Sequence, residues 1–202
     1  MKKGFIALLM ATVASVCSAH ENPALEKRVA ELEKEVAELK VTIAPIMAKG
    51  KAEQIVVEQR DKAKARMRQD SEHYSRDELR KIETLYQVAN KNWKTQDGKD
   101  SLEILIEKYD HANRTGCALL YLGQMNKGDE REEYLKRAID DFSDCYYGDG
   151  VQVGAYARYH LAYYYKEAGK QDKAEELFAE IKELYPDAIS HKGGLLSDSI
   201  NN

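Results

Sequence analysis

Apolar residues near the start of the chain recur at alternating steps of four and three positions. The spacing holds without an error through Leu25, Val29, Leu32, Val36, Leu39, Ile43 and Ile46. An average step of 3.5 residues keeps such a stripe facing a partner helix as the helices supercoil. A helix that packs on its own domain usually needs a wider apolar face. The pattern therefore predicts a coiled-coil oligomerisation segment over residues 20–47, with these seven residues as its seam.

Charged residues beside the seam bear on the number of helices that associate. Arg28 and Glu33 flank the seam, and Glu35 and Lys40 repeat the arrangement with opposite signs. Such positions meet across neighbouring helices of a parallel coiled coil. Valine and leucine at the two seam positions favour a dimer, whereas residues 28–33 resemble a motif of short trimeric coiled coils. We expect self-association as a trimer, with a dimer as the alternative.

The last part of the chain has the 3.6-residue spacing of paired amphipathic helices. Two such segments meet at Gly169, and Pro186 ends the second one. Large, small and aromatic residues follow in the order of a helix-turn-helix repeat of about 34 residues. They are Leu161, Ala162, Tyr165, Ala174 and Phe178. This block resembles a tetratricopeptide repeat.

Two earlier blocks have the same layout of paired helices. One lies around Leu122-Gly123 and residues 134–142, where residues 147–150 imply a longer loop, and a weaker one covers residues 85–110. Three units are about the minimum for a stable stack, because each hides its apolar face only against neighbours. We predict an all-α protein in which an N-terminal coiled-coil helix precedes an α-solenoid of about three tetratricopeptide-like helix hairpins. The repeat domain is placed at residues 78–188, with a tail over 189–202.

The first nineteen residues have the layout of a secretory signal peptide. A positive start is followed by a short apolar run and then by Cys17-Ser18-Ala19. The run is shorter than the roughly 20 apolar residues of a membrane span, so cleavage after Ala19 is expected. A lipidated Cys17 is the alternative, although Val16 before it fits a lipoprotein signal poorly. Only an acylated chain would be held at a membrane surface.

Residues 48–77 are rich in helix formers but have a poor seam, and Pro45 and Gly50 should weaken the helix before them. We interpret them as a charged helical linker whose lysines and arginines face solvent. The whole chain has 31 Lys+Arg and 35 Asp+Glu, a formal net charge of −4. This mild acidity argues against nucleic acid as a partner, which requires a basic face.

Candidate binding residues come from the first helix of each repeat, which lines a concave groove in this repeat class. In the third unit these positions hold Tyr156, Tyr159, His160 and Tyr163. In the second unit they hold Leu120, Tyr121 and Gln124, after Cys117. Tyrosine suits peptide recognition because it combines a large apolar face with a hydroxyl tip. The alternative, that these tyrosines pack as core between repeats, stays open.

Two cysteines remain after cleavage of a signal peptide. Cys117 starts the first helix of the second unit, and Cys145 ends the second helix, so an antiparallel hairpin would bring them together. An exported compartment permits a disulfide between them. Two free, buried thiols are the alternative.

The sequence offers little support for catalysis. The five histidines show no helical ligand spacing, and no Cys-x-x-Cys pair, phosphate-binding glycine loop or Gly-x-Ser-x-Gly turn occurs. We therefore expect no metal, no cofactor and no enzymatic activity. Binding of a partner is the function class that remains.

The combined layout resembles a family of periplasmic cell-division coordinators associated with the Tol–Pal envelope system. Residues 106–112 and Leu120-Tyr121-Leu122-Gly123 look like the junctions of its repeats. The resemblance implies a non-enzymatic adaptor, located in the periplasm, that binds envelope proteins or peptides through its groove in envelope maintenance or cell division. The alternative is a lipid-anchored structural or assembly factor at the outer membrane.

Overall fold

A computed structural model of the protein describes residues 22–200, and most of these residues are helical. The α-helices are α1 (Pro23–Gln69), α2 (Arg76–Asn92), α3 (Gln96–Lys108), α4 (Asn113–Met125), α5 (Gly128–Asp141), α6 (Val153–Glu167) and α7 (Gln171–Leu184). Short 3-10 turns occupy Asp70–Glu72 and Ser197–Ser199. Residues 22–200 contain two isolated β-bridges but no strand. The predicted all-α class is confirmed.

The predicted signal peptide and Cys17 lie outside the described residues. Within residues 22–200, no helix combines the length and the apolar character that a membrane crossing requires.

The chain divides into two compact units, Met1–Lys49 and Gly50–Asn202. The described part of the first unit is the N-terminal portion of α1, and every one of its residues is exposed. The helix passes through Pro45, whose ring nitrogen has no hydrogen to donate to the carbonyl four residues earlier. It also continues through Gly50, so the expected weakening at these residues does not end the helix.

The second unit is built from consecutive helices that pack on one another. Contacts join α2 with α3, α4 with α5 and α6 with α7, and further contacts join α3 with α4 and α5 with α6. Small residues allow close approach: a Cβ on Gly123 would lie 2.6 Å from Leu135 Cδ2. Ala138 and Ala162 are completely buried. Helices α4 and α5 therefore pack so closely at Gly123 that a side chain on this residue would not fit.

Two loops of the second unit have the same backbone hydrogen bonds. We call them the first hairpin loop (residues 145–153) and the second hairpin loop (residues 188–196). The bonds of the first run from Tyr147 N to Val151 O, Gly150 N to Tyr147 O and Val153 N to Cys145 O. Those of the second run from Ser190 N to Gly194 O, Gly193 N to Ser190 O and Leu196 N to Ala188 O. In each loop the glycine donor, Gly150 or Gly193, has a positive φ, which glycine adopts without steric cost.

The structure corrects the prediction that residues 48–77 form a charged linker that faces solvent. The C-terminal part of α1 packs on the loops of the second unit through what we call the α1 packing face. This face comprises Ile55, Gln59, Ala63 and Arg66, together with Asp70 in the following 3-10 turn. These residues recur every three or four positions, which places them on one side of the helix. The pattern was hidden because three of the five residues are polar.

Ion pairs and hydrogen bonds hold the polar members of the α1 packing face. Arg66 Nη1 lies 2.8 Å from Asp70 Oδ1, and Arg66 Nε lies 2.8 Å from Asp144 Oδ2. The Asp70 carboxylate accepts the backbone N–H of Asn113 at 3.0 and 3.1 Å. Further along the helix, Gly150 approaches the backbone of Gln59 closely. The second unit therefore begins within α1, well before the predicted boundary at residue 78.

Candidate functional site

The predicted groove of the third helix pair is covered by the protein's own C-terminal segment. The hydroxyl of Tyr163 donates to the Ser199 carbonyl at 3.2 Å, and the Tyr156 and His191 rings lie 5.1 Å apart. Leu196 is buried in a cluster that Tyr159 also contacts. Residues 189–200, expected as a tail, are therefore packed on α6, and the tyrosine stripe of α6 is not an open groove.

His160 illustrates how enclosed this part of α6 is. Its Nε2 is buried and has no hydrogen-bond partner among the described residues. Burial, with the charge of Arg131, lowers the pKa of His160 to about 4. This imidazole is neutral at physiological pH and is not offered to a ligand.

The groove residues predicted from the second helix pair, α4–α5, lie in two different environments. Leu120 and Cys117 are completely buried in the core, so neither can contact a partner. Tyr121 and Gln124 line a cavity of about 490 Å³, within the size range of ligand pockets. We call this cavity the α2–α4 pocket. Its lining consists of Tyr86, Gln87, Asn90, Arg114, Tyr121, Gln124, Tyr147, Gly148, Asp149 and His191.

Four parts of the second unit contribute to the α2–α4 pocket. Helix α2 and helix α4 supply three side chains each, and the two hairpin loops supply the rest. The hydroxyl of Tyr121 donates to Asn90 Oδ1 at 2.8 Å and so joins the two helices. The Tyr147 hydroxyl donates to the Cys117 carbonyl at 3.2 Å, which fixes the first hairpin loop against α4. The pocket is thus a product of tertiary packing.

One side of the pocket is occupied by a paired arginine. Arg114 lies with its guanidinium carbon 4.0 Å from the centre of the Tyr86 ring. Its Nε and Nη2 donate to the two carboxylate oxygens of Glu83 at 2.9 and 3.2 Å. A bidentate pair of this kind neutralises the cation and fixes its plane. Arg114 therefore contributes a rigid wall and little net charge.

Another part of the lining holds an acid and an imidazole from the two hairpin loops. His191 Nδ1 lies 2.7 Å from Asp149 Oδ2, and Val151 N donates to Asp149 Oδ1 at 3.3 Å. Burial alone would raise the pKa of Asp149. The hydrogen bonds from His191 and Val151 outweigh burial and lower this pKa below its ordinary value. The carboxylate is accordingly ionised at neutral pH. Its charge adds to burial in raising the pKa of Tyr121 and that of Tyr156.

The two described cysteines are free in the structure, which differs from the predicted disulfide and agrees with its alternative. Cys117 Sγ donates to the Tyr146 carbonyl at 3.4 Å, and Arg66 Nη2 donates to Cys145 Sγ at 3.5 Å. Burial raises the pKa of Cys117 to about 12 and raises that of Cys145 further. Thiols with such values are poor nucleophiles at neutral pH.

The other candidate binding sites among the described residues have fewer features of a functional site. A hollow of about 550 Å³ lies along α2, but a single helix lines it, so it brings no distant groups together. Among residues 22–200, no group of three or more histidine, cysteine or acidic side chains is placed to hold a metal ion.

The pocket residues that the sequence did not indicate lie on α2, at the start of α4 and in the two hairpin loops. Tyr86, Arg114, Tyr147, Asp149 and His191 belong to this group. The one available signal was the expected longer loop at residues 147–150, which does enter the pocket. Comparison with known proteins adds no relative: no protein-family model, curated protein or solved structure matches the chain.

Proposed function

We propose that the protein is a non-enzymatic, self-associating interaction scaffold that acts in the periplasm. Residues 22–49 would join copies of the chain, and the second unit would bind a partner. In this proposal the helix pairs α2–α3, α4–α5 and α6–α7 form a tetratricopeptide-like array. Contacts between successive helices, and between α2, α4 and α6, support such an array.

The exposed seam is the observation on which the proposal depends most. Its seven residues remain between 43% and 70% exposed within the described chain. Soluble monomers rarely expose a contiguous apolar surface of this kind, and such surfaces mark interaction sites. A second copy is the occupant that the heptad spacing favours, since the stripe has the width of a coiled-coil seam.

The α2–α4 pocket supports the binding part of the proposal. It is concave, built from four separate parts of the second unit, and carries both aromatic rings and polar groups. An oligomer would present two or three such pockets, and linked sites increase avidity without new contacts. The partner is expected to be an envelope protein or peptide, in envelope maintenance or cell division, as the resemblance to the Tol–Pal-associated family implies.

The chain offers a matched pair of substitutions for the seam. Val36→Asp places a charge in the seam, whereas Val41→Asp places the same charge at a 76% exposed position outside it. We expect sedimentation analysis to give a trimer or dimer for the unmodified chain and for Val41→Asp, and a monomer for Val36→Asp. Crosslinking in cells should then recover envelope partners with the unmodified chain, and fewer with Val36→Asp. Equal sedimentation of the two variants would contradict the proposal.

A lipid-anchored outer-membrane assembly factor is the second candidate, favoured by the position of Cys17 at the end of the apolar run. Intact-mass analysis of the chain purified from its own cells distinguishes the two. An unmodified chain that begins at His20 supports the soluble scaffold, whereas an acylated chain that begins at Cys17 supports the anchored factor.

A further inference from the structure

The charges around the α2–α4 pocket do not balance within the pocket itself. The carboxylate of Glu83 neutralises the guanidinium of Arg114. Asp149 makes its one ion pair among residues 22–200 with His191, which contributes a positive charge only when it is protonated. Arg60 donates at 3.4 Å to the backbone carbonyl of Asp149, not to the carboxylate. Asp149 therefore supplies the one carboxylate of the pocket lining, and its side-chain partner is an imidazole instead of a lysine or arginine.

That carboxylate is within reach of a ligand. Its side chain is 40% exposed, and its two oxygens hold one side-chain partner and one backbone donor. A carboxylate has about four lone-pair positions, so it can accept further hydrogen bonds. Gly148, its neighbour in the first hairpin loop, adds no side chain that would close this side of the pocket.

Aromatic rings form a continuous wall that leads to Asp149. The Tyr121 ring centre lies 6.2 Å from that of Tyr86 and 6.0 Å from that of Tyr147. The Tyr147 ring in turn lies 5.1 Å from that of His191. Arg114 already covers a face of Tyr86, whereas Tyr121 is only partly buried. A cation over an aromatic face within about 6 Å is attracted by the ring quadrupole.

The same lining disfavours other side chains. None of its ten residues has an aliphatic side chain, so an isoleucine or leucine of a partner would find few apolar contacts. The carboxylate of Asp149 would repel an acidic group. A long basic side chain, in contrast, can place its methylene stem along the tyrosine rings and its charged end at the carboxylate.

We propose that the α2–α4 pocket binds a lysine or arginine side chain of the partner polypeptide, with Asp149 as its counter-ion and Tyr121 beside its stem. The inference rests on the proposed function, because it names the chemistry that the binding part of the scaffold recognises. His191 occupies one carboxylate oxygen in the unbound protein and shares or yields it when the basic side chain enters. The partner segment is therefore basic at the point of contact.

The test uses four capped amino acids as probes on the full chain. N-acetyl methylamides of lysine, arginine, norleucine and glutamate are titrated and followed by ligand-observed NMR. We expect the lysine and arginine probes to bind at least about 10-fold more tightly than the norleucine and glutamate probes. Their binding should weaken in high salt, since it depends on charge.

Variants then locate the binding. Asp149→Asn keeps an oxygen for the Val151 N–H and should weaken the lysine probe about 10-fold, whereas Asp129→Asn, at an exposed position on α5, should leave it unchanged. Tyr121→Leu should weaken it about threefold and Tyr121→Phe should not, because the phenylalanine retains the aromatic ring. Lysine binding that survives Asp149→Asn, or norleucine binding of equal strength, would overturn the proposal. Binding of an uncharged sugar, tested with maltotriose, in place of the basic probes would also overturn the proposal.

A peptide library separates failure of this inference from failure of the scaffold function. Some peptides should be captured by the unmodified full chain but not by the Tyr121→Leu variant. We expect these peptides to be enriched in lysine or arginine. Captured peptides that depend on Tyr121 but lack this enrichment would refute the basic-side-chain proposal and leave the scaffold standing. If no captured peptide or crosslinked partner depends on the pocket, both are refuted.

Discussion

The two portions of α1 invert the usual relation between apolar pattern and burial. Residues 22–49 have a regular apolar seam, yet none of them is buried in the described chain. Residues 50–69 lack a seam, yet they bury Ile55, Gln59 and Ala63 against the rest of the second unit. A clear apolar stripe thus lies in the portion whose described residues are all exposed. The portion that is partly buried depends mainly on small and polar residues.

The difference follows from what each portion meets. A second helix presents apolar side chains, so a coiled-coil seam needs apolar residues in return. The loops between the helix pairs present backbone carbonyls and N–H groups, which must be hydrogen-bonded when buried. Arg66 and Asp70 satisfy such groups at His111 and Asn113. Helix surfaces that pack on loops therefore do not show in hydropathy patterns.

Arg66→Met should break this packing most severely. The substitution leaves Asp70, whose side chain is 6% exposed, without its ion-pair partner. Removing one partner from a buried pair costs about 3 kcal/mol or more, because a buried charge is left uncompensated. Chemical denaturation followed by circular dichroism measures the loss in the free energy of unfolding.

Arg68→Met provides the control, because Arg68 lies on the same helix end but is exposed. It should change the free energy of unfolding by no more than about 0.5 kcal/mol. Equal losses for the two arginines would mean that the α1 packing face does not hold the second unit together.

Gly150→Ala should have the next largest effect. The glycine has a φ of +97°, and a Cβ there would lie 2.9 Å from the Arg60 backbone nitrogen. Both the backbone strain and the contact with α1 disfavour alanine, so we expect a loss of about 1–3 kcal/mol in the free energy of unfolding. Gly148→Ala, with no atom within 4 Å of its Cβ, is the matched control in the same loop. A stable Gly150→Ala variant would contradict the close approach between the loop and the helix.

The sequence was sufficient for the helices and insufficient for the pocket, for a physical reason. Helix periodicity and Gly169 or Pro186 at helix ends are local signals, and they predicted the paired helices of the C-terminal half. The pocket combines Tyr86, Tyr121 and Asp149 from distant parts of the chain, and no local spacing links them. The prediction that the tyrosines of α6 line an open groove differs from the structure for a related reason. Their spacing marks one face of a helix, but it does not say that Leu196 and Ser199 of the same chain cover that face.

Gly50→Ala should have the smallest effect and bears on the boundary between the two portions of α1. Gly50 lies inside the helix, and a Cβ there would meet no atom within 4 Å. Alanine at an exposed position inside a helix is more favourable than glycine by about 0.5–1 kcal/mol. We therefore expect a slightly higher free energy of unfolding and no loss of helical signal at 222 nm. No gain in stability from alanine would indicate that the chain is not helical at residue 50 in solution. The two portions would then be separate helices that differ in partner because they differ in structure, and they would not be two surfaces of one continuous helix.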